Sequence, residues 1–154
     1  MSGKFVLQQA SEKDLDIFAE KLGKNDLPFD DICGKTQHLY FVKERDKQIG
    51  IVGLEVFEEY GLVRSLVVDA SVRNRGYGRN TIESVIQLAK LKKLKALYLL
   101  TTTAEEFFRK LQFKPISRED VPHIVKQSEE FTRLCPMTAV CMRFFVDSCN
   151  GEHF

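Results

Sequence analysis

The sequence predicts an α/β (α+β) protein with a mixed, mostly antiparallel central sheet and helices on both faces. Three observations carry this reading. Between Leu39 and Val68 the apolar residues fall into short runs separated by charged turns, which is the pattern of an antiparallel meander. From about Arg79 to Leu94 they recur at helical spacing instead. Beyond Leu94, short apolar runs alternate with short helical ones, so the later strands are joined through helices.

Lys4 to Gln9 reads as the first strand. Ser11 caps a helix, with Asp14 at the third position and Leu15, Phe18, Ala19 and Leu22 on one face. Gly23 to Gln37, with Pro28 and Asp30-Asp31, breaks the pattern and reads as a loop with one short helix. Leu39 to Lys43, Gln48 to Phe57 and Leu62 to Val68 are the meander strands, turned at Glu44 to Lys47 and Glu58 to Gly61. Ile82, Val85, Ile86 and Ala89 mark the buried stripe of the long helix. Ala96 to Leu100 is continuously apolar, as suits a strand covered on both faces. Thr103 and Glu106 make a capping box that opens a short helix through Leu111. Phe113 to Ile116 is a brief strand, Asp120 caps a helix to about Leu134, and Met137 to Val146 is the last strand. No repeat or linker interrupts the 154 residues, so residues 1–154 are expected to form one domain.

Composition narrows the function classes. Hydrophobic residues make up 44% of the chain, as in a folded protein, and the net charge is +1. A nucleic-acid partner calls for a strong basic field, which is missing. The basic run Lys90 to Lys95 lies at a helix end, where lysines complement the dipole. No apolar segment opens the chain, so neither secretion nor a membrane is expected and the location reads as cytoplasmic. Cys33, Cys135, Cys141 and Cys149 include no Cys-x-x-Cys pair, and His38, His123 and His153 are scattered. No metal is expected, and the cysteines read as reduced, mostly buried thiols.

The most informative stretch is Val72-Arg-Asn-Arg-Gly-Tyr-Gly78, placed between the apolar Leu66-Val67-Val68 and the long helix. A strand feeding a glycine turn at a helix start gathers backbone N–H groups and the positive dipole end into an anion cradle. Gly76 and Gly78 let the main chain approach a ligand, and Arg73, Arg75 and Arg79 add positive charge. A dinucleotide fingerprint would need a third glycine where Thr81 stands, and no Gly-Lys-Ser/Thr of a P-loop occurs. The remaining pattern, Arg-x-x-Gly-x-Gly, resembles the pyrophosphate-binding motif of the GNAT acetyltransferases.

That resemblance runs from about Lys4 to Met142. It implies the GNAT fold, with a splay between the fourth and fifth strands, and acetyl-CoA as co-substrate. The main chain of Leu66, Val67 and Val68 would then pair with the pantetheine arm. Arg73, Asn74, Arg75, Gly76, Tyr77, Gly78 and Arg79 would hold the pyrophosphate.

Acetyl transfer to an amine needs a route for removing the ammonium proton. Glu55 is the candidate base, because it is a carboxylate amid Ile49, Ile51, Val52, Leu54, Val56 and Phe57, where partial desolvation would raise its pKa. An outward-facing, ion-paired strand residue is the plainer alternative. Many family members place a tyrosine acid in the helix after the splayed strand, and here Phe108 takes that place. Gln112 likewise replaces a frequent glycine. Tyr60, Tyr77 and Tyr98 are the other tyrosines weighed, and none is nominated.

The tracts Arg64-Ser-Leu-Val-Val68 and Leu99-Leu-Thr-Thr-Thr-Ala104, with Glu130-Phe131, Leu134-Cys-Pro136, Ala139 and Met142, resemble the arsenic-resistance acetyltransferases. They are also similar to the related short glutamate N-acetyltransferases. The resemblance implies a small amine substrate, carboxylate-bearing, with Arg64 as a guanidinium fork for its carboxylate. Cross-strand pairing of Arg64 with Glu55 or Glu58 is the structural alternative. The expected activity is N-acetylation of a small amino acid or analogue. A catalytically weak acyl-CoA-binding regulatory domain and a protein-lysine or N-terminal acetyltransferase stand as alternatives, and a homodimer is left open.

Overall fold

Strands fill residues 37–68, apart from two short turns, because the apolar residues there alternate or run together without helical spacing. The computed structural model describes residues 5–10, 20, 37–68, 76–128 and 139–146. Strands β1 (Phe5–Gln9), β2 (Gln37–Glu44), β3 (Lys47–Phe57) and β4 (Tyr60–Val68) precede helix α1 (Tyr77–Leu91). Strand β5 (Ala96–Thr101), helix α2 (Glu105–Lys110), strand β6 (Lys114–Ile116), a 3-10 turn (Arg118–Asp120), helix α3 (His123–Lys126) and strand β7 (Val140–Phe145) follow. Among the described residues the sheet has seven strands in the order β1-β2-β3-β4-β5-β7-β6. It is mixed and mostly antiparallel: β1–β2, β2–β3, β5–β7 and β6–β7 are antiparallel, and β4–β5 is parallel. The helix expected from Ser11 to Leu22 and the chain from 129 to 138 lie outside the described residues, apart from Glu20.

The chain forms two compact units, residues 1–55 with 63–88, and residues 56–62 with 89–154. In the first, β3 is buried without interruption from Ile49 to Glu55, so it is covered on both faces. Two-residue turns join β2 to β3 and β3 to β4, and each opens on a left-handed residue, Arg45 at φ 59° and Glu58 at φ 57°. Such backbone matches the twist of tight hairpins. In α1, Ile82, Val85 and Ala89 are buried as the spacing predicts. Thr81 is buried too, its hydroxyl donating to the Tyr77 carbonyl at 2.7 Å.

In the second unit, Tyr60–Leu62 of β4 pair with Ala96–Tyr98 of β5. The ladder covers those pairs alone, while β4 runs on to Val68 and β5 to Thr101. Leu62, Ala96, Tyr98, Val121, Val125 and Cys141 form one core cluster. Leu97 and Leu99 point to the other face, opposite Phe144 and Met142 on β7.

Two helix starts differ from the sequence reading. The Thr103–Glu106 capping box does not form: Ala104 is the N-cap of α2, and its N–H donates to the Thr101 hydroxyl at 2.9 Å. Asp120 does not open a long helix either. It closes the 3-10 turn, which Ser117 caps by accepting from the Glu119 N–H. Pro122 explains the break, since a residue before proline is driven out of helical space, and Val121 sits at φ −81°, ψ 135°. Helix α3 therefore begins only at His123.

Candidate active site

Helix α1 begins where the glycine turn ends. Gly76 lies at φ +77°, a conformation glycine adopts without penalty, and a Cβ built on it would meet nothing within 4 Å. Its carbonyl accepts the first helical hydrogen bond, from the Asn80 N–H at 3.2 Å. The N–H groups of Tyr77, Gly78 and Arg79 thus belong to the first turn, which has no acceptors within the helix. The first turn also carries no acidic side chain. Among the described residues, Gly76 thus leaves open space beside a helix start whose first turn carries no acidic side chain, an arrangement that suits an anion. Arg79 is exposed and reaches Glu83 at 3.5 Å, an i,i+4 pair of small energetic weight. Arg73, Asn74 and Arg75 lie outside the described residues.

Tyr77 does more than occupy the turn. Its hydroxyl donates to Glu44 Oε1 at 2.7 Å, and its ring meets the Phe5 ring edge-on at 5.5 Å. Sequence reasoning missed Glu44, because nothing in a strand-end glutamate announces a contact 33 residues away.

On β4, Val67 is buried and Leu66 and Val68 are half-buried. Strand β3 comes unusually close here. A Cβ on Gly50 would lie 2.2 Å from the Val67 carbonyl oxygen and 3.2 Å from Val68 Cα. Only a residue without a side chain fits at position 50, a second feature the sequence reading passed over.

Glu55 and Arg64 are brought together. Both are buried, at 5% and 4% exposure, and Arg64 Nη1 stands 3.5 Å from Glu55 Oε1. Of the sequence alternatives for Arg64, cross-strand pairing with Glu55 is the one seen. Two opposite charges placed together in an apolar strand pair compensate each other, whereas either alone would be costly to bury.

In the second unit, Phe108 is buried against Phe107 and Phe113, with centroids 5.0 and 5.5 Å apart, so position 108 offers no ionisable group. Tyr98 is held by Arg143 and stacked edge-on with Tyr60 at 6.1 Å, and burial pushes its hydroxyl pKa up. Among the described residues no His/Cys/Asp/Glu group is arranged to hold a metal ion, and no helix is long and apolar enough to cross a membrane.

Comparisons with known proteins bear on this geometry. Residues 35–115, more than half of the chain, match the family model of an acetyltransferase (GNAT) domain. No curated protein sequence matches. Solved structures do. One is N-acetylglutamate synthase from Neisseria gonorrhoeae with coenzyme A and L-arginine, at 17% identity and a TM-score of 0.71, covering 92% of this chain and 33% of that one. This chain therefore spans about a third of that synthase. Another is Rv2747 from Mycobacterium tuberculosis in complex with CoA, at 18% identity and a TM-score of 0.72, covering 91% and 98%. A third is the dodecameric spermidine N-acetyltransferase from Vibrio cholerae, at 13% identity and a TM-score of 0.71, covering 99% of both chains.

Proposed function

Because this chain belongs to the GNAT acetyltransferase family and uses acetyl-CoA as its co-substrate, we propose that it acetylates the amino group of a small amine, a carboxylate-bearing amino acid or analogue. The observation that carries the proposal is the buried Glu55–Arg64 pair on the strands that lead to Leu66–Val68. Structures similar to this one include proteins named for acetylating glutamate and spermidine, which supports a small amine in general.

Bound acetyl-CoA supplies an activated acetyl thioester. The chain's own groups do the rest. The first turn of α1, with Gly76, Tyr77, Gly78 and Arg79, would hold the pyrophosphate through N–H groups and the helix dipole. Arg73, Asn74 and Arg75, which precede that turn in the sequence, would join it by the family resemblance. Main-chain groups of Leu66, Val67 and Val68 would pair with the pantetheine amides. Glu55 takes the ammonium proton, directly or through water, and so makes the amine nucleophilic. Arg64 holds the Glu55 carboxylate in place, and its guanidinium is the fork proposed for the substrate carboxylate.

Thiol release from acetyl-CoA against a panel of amines tests the reading. Amino acids should turn over faster than their amides, polyamines or lysine peptides. A preference for amines without a carboxylate would overturn the substrate class. Phe108 favours a second reading, a catalytically weak acyl-CoA-binding domain, because a buried phenylalanine donates no proton to a leaving thiolate. Tight CoA binding with no thiol release for any amine would select it.

A further inference from the structure

The glycine turn itself asks nothing of the side chain at position 77, yet that side chain is held twice. Tyr77 stands between Gly76 and Gly78, the two residues with the greatest backbone freedom in the turn. Its hydroxyl donates to Glu44 and its ring rests on Phe5. Glu44 and Phe5 are themselves cross-strand partners, the last residue of β2 and the first of β1. A single rung of a two-strand ladder therefore grips the start of α1 by one hydrogen bond and one ring contact. The Tyr77 carbonyl, bonded by Thr81, fixes the same residue from the helix side.

We infer that the Tyr77–Glu44 hydrogen bond is a positioning tether, which holds the first turn of α1 in the conformation that receives the cofactor's pyrophosphate. The inference rests on the reading of that turn as the pyrophosphate site. Without the tether, a turn flanked by two glycines samples more backbone states, and each ligand phosphate must order it on binding. Tyr77 is a positioning residue here, because it acts through the N–H groups beside it.

The test compares CoA with pantetheine, which lacks the pyrophosphate, by calorimetry on the purified protein. Tyr77→Phe removes only the hydroxyl and keeps the ring on Phe5, while Glu44→Ala removes the acceptor. Each should weaken CoA binding about ten- to hundred-fold, the range for one hydrogen bond to a charged group. Pantetheine affinity and thermal midpoint should stay near wild type. Glu44→Gln keeps an acceptor oxygen and should restore most CoA affinity, and the Tyr77→Phe/Glu44→Ala double variant should lose no more than either single one. If Tyr77→Phe binds CoA like wild type while Gly76→Val does not, the tether is wrong and the pyrophosphate site stands. If Gly76→Val folds and also binds normally, the pyrophosphate site itself is wrong. Equal weakening of CoA and pantetheine would reveal a general structural role and overturn the tether.

Discussion

Removing the Glu55 carboxylate does two things at once, and the two need separate measurements. It takes away the proposed base, and it leaves the Arg64 guanidinium buried beside a neutral amide. Glu55→Gln is expected to lower turnover at neutral pH, with a smaller deficit at high pH, where free amine is abundant. Denaturant unfolding should show a stability loss of about 3–5 kcal/mol, the usual penalty for breaking one half of a buried pair. Glu55→Gln/Arg64→Met should recover much of that stability without recovering activity. An unchanged pH–rate profile in Glu55→Gln would remove Glu55 from the chemistry. Arg64→Lys keeps the charge but loses the planar fork, so KM for a carboxylate-bearing amine should rise about ten-fold, and far less for the matching amide. The apolar company of Glu55 was legible in the sequence, because it is a lone charge in an apolar run. The Arg64 pairing was legible as one of two alternatives, since cross-strand neighbours follow from hairpin geometry. Tyr77–Glu44 was not, because a tertiary contact between a turn and a distant strand end leaves no periodic trace.

At the scale of elements, close approach and handedness decide what is tolerated. Gly50→Ala would drive a methyl group into the Val67 carbonyl, an atom fixed by its own strand, so β3 or β4 must shift. The expected cost is about 1–3 kcal/mol in denaturant unfolding, together with weaker CoA binding, because the displaced segment includes Val67 and Val68. Gln112 follows α2 at φ 78°, where a side chain is strained. Gln112→Gly should leave the thermal midpoint unchanged or raise it, whereas Gln112→Val should lower it. The glycine that the family resemblance implies at this place is the residue this backbone conformation favours. Strands and the long helix were readable because apolar period fixes them. The short helices were misread at their starts. The Ala104 N–H turns back to the Thr101 hydroxyl instead of a box forming, and Pro122 divides a run whose charges alone suggested continuity.

For the whole molecule, alkaline conditions provide a measure of core integrity. Burial pushes the Cys141 thiol up from 9.0 to about 11, with Arg118 and Arg143 pulling against it. The unfolded chain releases this proton near the ordinary value, while the folded chain holds it, so above that value the unfolded state binds fewer protons. The stability contribution is therefore complete below pH 9.0 and lost as pH rises to about 11. Tyr40 and Tyr98, also raised by burial from 10.0, act in the same direction. Urea unfolding should show a decline of about 1–3 kcal/mol across this window, and Cys141→Ala should flatten its lower part.

The division of the β3–β4 hairpin sets an order of events during synthesis. Its tip, residues 56–62, belongs with the later half of the chain, while its stems belong with the earlier half. Tyr60–Leu62 find their ladder partners only when Ala96–Tyr98 exist, and β5 in turn waits for Val140–Phe145. A released chain ending at Leu88 would therefore carry the β3–β4 stem with a raw strand edge, open to proteases and to other chains.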